Sequence, residues 1–218
     1  MGRALAIASV GGMEFQDVVV RRRMVRSFSD RPLPAGALDR MLENALHAPS
    51  AGFSQGWAFL ALEGREQTEQ FWVASFPSPA ERDAFGYQGL FNAPALIVPL
   101  SHKQAYLDRY AEPDKGVTDK RESFWPVPYW DIDTGFASLL MLLTAVDQGL
   151  GALFFGIFPE QMPSVRAAFG VPEAYTPIGA IAVGWRDEEG DRPSPSLKRG
   201  RRPTTEVVHR GRWREAAR

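Results

Sequence analysis

The stretch Phe136-Ala137-Ser138-Leu139-Leu140-Met141-Leu142-Leu143-Thr144-Ala145-Val146, closed by Asp147-Gln148-Gly149-Leu150-Gly151, decides how this chain must fold. Apolar side chains occupy every side of it, and the glycine marks a helix stop. A helix of that kind is buried all round, by its own core or by a second subunit. It is too short to cross a membrane. Asp131 or Asp133 is placed to cap its start. Beyond Gly149, residues 152–158 read as a strand, 160–169 as a helix and 178–184 as a further strand.

Upstream the chain alternates in the same way. Phe15, Val18, Val19 and Arg22 fall at helical spacing, Ser29-Asp30-Arg31-Pro32 breaks the chain, and Leu38, Met41, Leu42 and Ala45 mark one face of a second helix that stops before Pro49. Residues 57–62 and 95–100 read as strands, with a helix over 66–76 and a Pro77-Ser78-Pro79 turn between them. Residues 102–131 are polar, then aromatic, and read as a long ordered loop or lid. The tail 204–209 is strand-like. Residues 1–12 form a loose extension, and 13–218 a single domain with no repeat and no linker.

With 218 residues, 44% of them hydrophobic, the chain can build one sizeable core, α/β or α+β. A net charge of -1 argues against a general nucleic-acid or membrane-surface binder. No cysteine is present, so disulfides, thiolate nucleophiles, iron–sulfur clusters and cysteine-bound zinc are excluded. Redox chemistry would then need an organic cofactor, or a metal held by nitrogen and oxygen with His47, His102 and His209 as the imidazoles.

Arginines cluster at both ends, as Arg22-Arg23-Met24-Val25-Arg26-Ser27-Phe28 and as Arg199-Gly200-Arg201-Arg202-Pro203. Brought together they would make a phosphate cradle, because each guanidinium is a rigid fork of donors; apart they are solvated charge runs. The segment Ala48-Pro49-Ser50-Ala51-Gly52-Phe53-Ser54-Gln55-Gly56-Trp57 has the small residues that let backbone approach a planar ligand, or it is an ordinary helix-to-strand loop.

Four ordered segments give the chain its likeness. They are Arg-Arg-x-x-Arg-x-Phe at 22–28, Pro-Ser-x-x-x-x-Gln-x-Trp at 49–57, the buried helix running into Gly-Leu-Gly at 149–151, and Arg-x-Arg-x-Pro with a later Glu-Val at 199–207. In this order the chain resembles the FMN-dependent nitroreductase family from Phe15 onward. The resemblance implies an α+β three-layer sandwich, a mixed and mostly antiparallel sheet flanked by helices, in an intertwined homodimer. The apolar helix would then be the dimer core, and residues 206–209 a strand added to the partner's sheet.

The same resemblance assigns a bound FMN. Arg22 and Arg23 would hold its phosphate and ribityl chain, joined by Arg201 and Arg199, with Met24 in the same set. Arg26 would lie at the pyrimidine side, where a cation stabilises the charge gained on reduction. Pro49, Ser50, Ala51, Phe53 and Gln55 would reach the partner's flavin across the interface, and the backbone of Phe155 and Gly156 would face the N5 edge. Gln88 is the choice for the family's amide contact.

The sequence departs from the commoner family pattern at Phe53 in place of Asn, Gly56 in place of Pro, Met24 in place of Ser and Phe155 in place of Glu. These changes imply a more hydrophobic flavin environment. The implied function is ping-pong reduction of nitroaromatic, quinone or related apolar acceptors by NADH or NADPH, transient co-substrates that need no Gly-x-Gly-x-x-Gly site, in a cytoplasmic enzyme with no general acid or base of its own. Trp125, Tyr129 and Trp130 would wall the acceptor pocket, or only anchor a long loop. A flavin- or deazaflavin-binding protein without redox activity, or a flavin-modifying enzyme on the same fold, is the alternative.

Overall fold

The structure is a computed structural model in which residues 12–116 and 119–213 are described. The expected extension at 1–12 therefore lies outside the described residues except for Gly12. Next to it, the Met13 backbone N–H donates to Asp147 Oδ1 at 2.8 Å.

Helices α1 (Phe15–Arg21) and α2 (Ala37–Ala45) precede strand β1 (Trp57–Glu63), as their apolar spacing predicts. Then come α3 (Arg65–Ser75), α4 (Pro79–Asp83) and β2 (Ala95–Ser101). Ser78 caps α4 by accepting from the Glu81 N–H, with Pro79 at the first helical position. Next are α5 (Lys103–Tyr110), α6 (Tyr129–Asp147), β3 (Gly151–Phe155), α7 (Met162–Phe169), β4 (Thr176–Pro177), β5 (Ala180–Gly184) and α8 (Thr204–Val207).

The sheet runs β1-β2-β5-β3, with β4 on β2, and all of these pairings are antiparallel. Among the described residues a parallel element enters only through an isolated bridge between Met24 and Ala152. The period-2 pattern sorts the strands onto two faces. Leu96, Val98, Leu153, Ala180 and Ala182 join the core with α3, whereas Ala95, Ile97, Ala152, Ile181 and Val183 meet α2 and α6. This is the expected three-layer α+β architecture.

Three local expectations are corrected. Residues 102–131 are not one loop, because 103–110 form α5. Only Tyr106 and Leu107 of that helix are buried, so its amphipathic signal is thin. Asp131 and Asp133 do not cap α6, which begins at Tyr129 and places both carboxylates inside the helix. The tail is not a strand in the single chain: 204–207 is a helical turn after Pro203, with Arg202 Nε 3.3 Å from Glu206 Oε2. An extended edge needs a sheet to pair with, and this segment lies exposed on the chain.

Helix α6 carries hydroxyls within its apolar run, and each is satisfied along the helix. Thr134, Ser138 and Thr144 donate to the carbonyls of Trp130, Thr134 and Leu140 at 2.6, 2.8 and 2.8 Å. The helix ends in a Schellman motif, with Leu150 N bonded to Ala145 O and Gly149 N to Val146 O. One side stays uncovered in the single chain, where Ile132, Phe136 and Leu139 are exposed.

Candidate functional site

The segment after α1 lies along the β3 edge. Val25 N donates to Ala152 O at 3.0 Å, Phe28 bridges Arg186, and both apolar side chains are buried. Arg26 is thereby fixed at the end of the sheet. Its backbone N–H donates to Asp191 Oδ1 at 2.8 Å, its Nη1 donates to Met24 O at 3.1 Å, and its guanidinium stands 5.6 Å from the centre of the Tyr87 ring. Arg186 holds Asp191 in turn, at 2.7 Å. Below, Ser27 Oγ donates to Asp187 Oδ2 at 2.9 Å; that bond, after the Gly190 backbone N–H, keeps the Asp187 carboxyl below its ordinary range.

Arg26 opens onto a cavity of about 200 Å³ whose walls include Trp72, Phe76, Phe85, Tyr87 and Phe155, with Gly156 at the end of β3. The Phe155 ring belongs to the wall, stacked on Trp72 at 5.5 Å and 20°. Above Gly156 a Cβ would meet nothing within 4 Å, so the backbone there is open to a flat ligand. Arg26, Phe155 and Gly156, separated by about 130 residues of sequence, are thus brought to one place.

Arg22 is half-buried, and Arg23, Arg199 and Arg201 are exposed. Among the described residues none of the four has a carboxylate partner within ion-pair distance. Met24 turns inward, its Sδ accepting from Phe154 N at 3.5 Å. Gln88 is spent on its own loop, its Nε2 donating to the carbonyls of Arg82, Asp83 and Phe85 at 2.8–3.0 Å.

The Pro49–Gln55 segment lies apart from the cavity lining and is held in an unusual shape. Gly52, Phe53 and Gln55 have φ of 62, 55 and 48°, a region that costs a non-glycine residue roughly 1–2 kcal/mol. Several contacts offset that cost. Asp133 Oδ2 accepts from Ala51 N and from Tyr106 Oη, both at 2.8 Å; Arg109 Nε donates to Gly52 O at 2.9 Å; Ser50 Oγ accepts from Gln55 N at 3.0 Å. Burial, then the bond to Asp133, pushes the Tyr106 hydroxyl far above its ordinary titration range, so it remains a donor. Phe53 projects from this loop, 73% exposed.

Gly56 also has a local cause. A Cβ there would collide with the Tyr106 ring and lie 2.8 Å from His102 O, so the family's proline would not fit against α5.

Trp125, Tyr129 and Trp130 pack with Tyr106 and Tyr110 beneath the Pro-Ser loop. Trp125 lies 4.5 Å from Tyr110 and 5.9 Å from Tyr106 between ring centres, and Trp130 is buried. None of the three lines the cavity at Arg26. Sequence reading missed Asp133 as the loop's anchor and missed Trp72, Phe85 and Tyr87 as cavity walls. A signal for the latter was present in the aromatic density of Phe71, Trp72, Phe76, Phe85, Tyr87 and Phe91. Among the described residues no group of three or more His, Asp or Glu is placed to hold a metal, and no helix is long and apolar enough to cross a membrane.

Comparison with known proteins identifies the fold and the family. The sequence model of the nitroreductase family matches residues 19–185. A protein of Archaeoglobus fulgidus, provisionally named NADH dehydrogenase/NAD(P)H nitroreductase, is 27% identical over 198 residues, 90% of this chain and 97% of its own. An NADH dehydrogenase of Thermus thermophilus is 28% identical over 206 residues, covering 84% and 92%. The solved structure of an FMN-dependent nitroreductase from Clostridium difficile superposes with a TM-score of 0.64 at 22% identity, over 91% of this chain and 99% of that one, and so shares the fold.

Proposed function

The chain belongs to the nitroreductase family, and on that premise we propose that it is an FMN-dependent NAD(P)H oxidoreductase that reduces apolar aromatic acceptors by a ping-pong mechanism. The observation that carries this reading is Arg26, fixed by Asp191 and Met24 beside the open backbone of Gly156. A flat ring with an electron-poor, hydrogen-bonding edge would lie there, and Arg22, Arg23, Arg199 and Arg201, which among the described residues have no carboxylate partner, would supply the cations for a phosphate. FMN would contribute hydride acceptance and release. The protein's residues would bind it, orient it and exclude water: Arg26 would face the edge where charge develops, while Phe155 and Trp72 would keep the surroundings dry.

The net reaction is NAD(P)H + H⁺ + A → NAD(P)⁺ + AH₂, and donor and acceptor would use one face in turn. The names of the relatives, NADH dehydrogenase and FMN-dependent nitroreductase, support this assignment. A homodimer belongs to the proposal. It would cover Ile132, Phe136 and Leu139 and bring the exposed Phe53 of one protomer to the other's site.

The experiment is purification followed by anaerobic titration with each nicotinamide and steady-state kinetics. A yellow, dimeric protein that NADH or NADPH bleaches, and that gives parallel double-reciprocal lines, is expected. Arg201→Ala should weaken FMN binding about ten- to hundredfold, the loss of one charge-assisted bond. A protein that binds flavin but is not bleached would be the non-redox alternative, and intersecting lines with a detectable ternary complex would overturn the shared site.

A further inference from the structure

The cavity at Arg26 has a larger neighbour on its outer side. At about 530 Å³ this second cavity falls within the roughly 300–1,000 Å³ of ligand pockets, whereas the inner one is about 200 Å³. The two share Phe76, Phe85 and Phe158, but Arg26 and Gly156 line only the inner cavity, and Glu81, Glu160 and Gln161 line only the outer. In the oxidoreductase reading the inner cavity takes the cofactor ring. The outer cavity has no part in that reading and carries a chemistry of its own.

That chemistry is aromatic and anionic. Phe158 is 56% exposed, a large ring left at a rim where burial would ordinarily hide it. Neither Glu81 nor Glu160 has an ion-pair partner among the described residues, and no lysine, arginine or histidine lines the cavity. Arg82, the nearest basic residue in sequence, is committed elsewhere, donating to Glu69 with its guanidinium 4.7 Å from the centre of the Phe91 ring. Among the described residues no third Asp, Glu or His joins the two carboxylates to hold a metal. Uncompensated carboxylates beside aromatic faces attract a cation with an apolar body, because the rings and the charges act on it in the same sense.

Local structure sets each wall in place. Glu81 stands in α4, whose first turn is closed by the Ser78 cap and Pro79. Glu160 stands in the 3-10 turn Pro159–Gln161, where Phe158 O accepts from Gln161 N at 2.9 Å and from Met162 N at 3.1 Å. Phe76 and Phe85 meet edge to face at 5.5 Å, and Phe91 backs both, at 5.6 and 5.8 Å between ring centres. Gln88 Nε2 donates to Phe85 O at 2.8 Å. A ligand entering the cavity has little of the wall to order, which lowers the cost of binding.

We propose that the outer cavity is a binding site in its own right for a small organic cation with an aromatic body, such as a benzylic quaternary ammonium. Its apolar part lies against Phe76, Phe85 and Phe158, and its charge lies toward Glu81 and Glu160. The inner cavity stays free for the cofactor ring, so the two can be occupied together.

The test is calorimetric titration of the full chain, with FMN added to fill the inner cavity, by benzyltrimethylammonium, benzyl alcohol and benzenesulfonate. The cation should bind about three- to tenfold more tightly than the alcohol, with the margin narrowing as salt is raised, and the sulfonate should bind most weakly. The variant Glu81→Gln/Glu160→Gln, altered only at exposed positions, should bring the cation's Kd to that of the alcohol, and Phe158→Ala should weaken the cation. Equal affinities, preference for the sulfonate, absence of binding, or cation binding undiminished in the double variant would overturn the site. None of these outcomes touches the oxidoreductase reading, which fails separately if neither nicotinamide bleaches the flavin while the cation still binds through its two carboxylates.

Discussion

Two aromatic-rich regions of the molecule have similar ring content and opposite packing. Around Tyr106, Tyr110, Trp125, Tyr129 and Trp130 the rings touch one another and fill their space. Around Trp72, Phe76, Phe85, Tyr87 and Phe155 they stand about a void that opens beside Arg26 and Gly156. The first cluster presses on the underside of the Pro-Ser loop, and the second faces the end of β3. Ring density alone therefore does not mark a pocket. A ring is free to serve a ligand where the backbone layout leaves a gap that neighbouring rings cannot close.

The largest effect should separate the two clusters directly. Trp130→Ala removes a buried side chain from a filled cluster, so a loss of about 3–5 kcal/mol of stability is expected, with the acceptor preferences of the surviving protein unaltered. Phe85→Ala removes a half-buried ring that already borders empty space. It should cost only about 1–2 kcal/mol and yet change the relative KM values of aromatic acceptors. Denaturant melts beside an acceptor panel give both readings. If Trp130→Ala shifts the panel and Phe85→Ala does not, the functional roles of the two clusters are exchanged.

What the sequence disclosed follows the range of the interactions involved. Helix α2 and strands β1, β2 and β5 were legible because spacing along a few residues decides which face is buried, as Met41 and Ile97 show. The Arg26 to Gly156 pairing was legible only through motif order, since nothing local ties residue 26 to residue 156. Asp133, like Asp131, reads as a candidate cap because its acidic side chain stands near a helix start. Its actual partner, Ala51 N, lies 82 residues away. The C-terminal tail reads as a strand by β propensity, whereas 204–207 is a helical turn in the single protomer.

An intermediate effect concerns how the filled cluster controls the loop. Asp133→Ala leaves the Ala51 N–H and the Tyr106 hydroxyl without their acceptor, a loss of roughly 1–3 kcal/mol. The left-handed residues Phe53 and Gln55 would then relax toward ordinary backbone. Proteolysis within 50–55 should accelerate and flavin retention should fall, whereas Tyr106→Phe, which removes one bond and keeps the ring, should show a smaller change. Unchanged cleavage in Asp133→Ala would mean that Arg109, through Gly52 O, holds the loop unaided.

The smallest effect should appear in the wall of the hollow cluster as a function of pH. Arg82 Nη2 donates to Glu69 Oε2 at 2.8 Å, and its guanidinium lies 4.7 Å from the centre of the Phe91 ring, so the pair fastens α4 to α3. The hydrogen bond from Arg82 holds the Glu69 carboxyl below its ordinary 4.5, with burial acting in the opposite sense. Because the folded-state value is depressed, the stabilisation is present above the ordinary value and is lost as pH falls below it. The Glu69 side chain is 40% exposed, so screening limits the contribution to about 0.5–1 kcal/mol. Urea midpoints at about pH 6 and about pH 3.5 should therefore differ less in Arg82→Gln than in the parent, since the variant has no ion pair to lose. Parallel pH profiles for the two proteins would show that the cavity wall is held by the Gln88 contacts and ring packing without help from this charge pair.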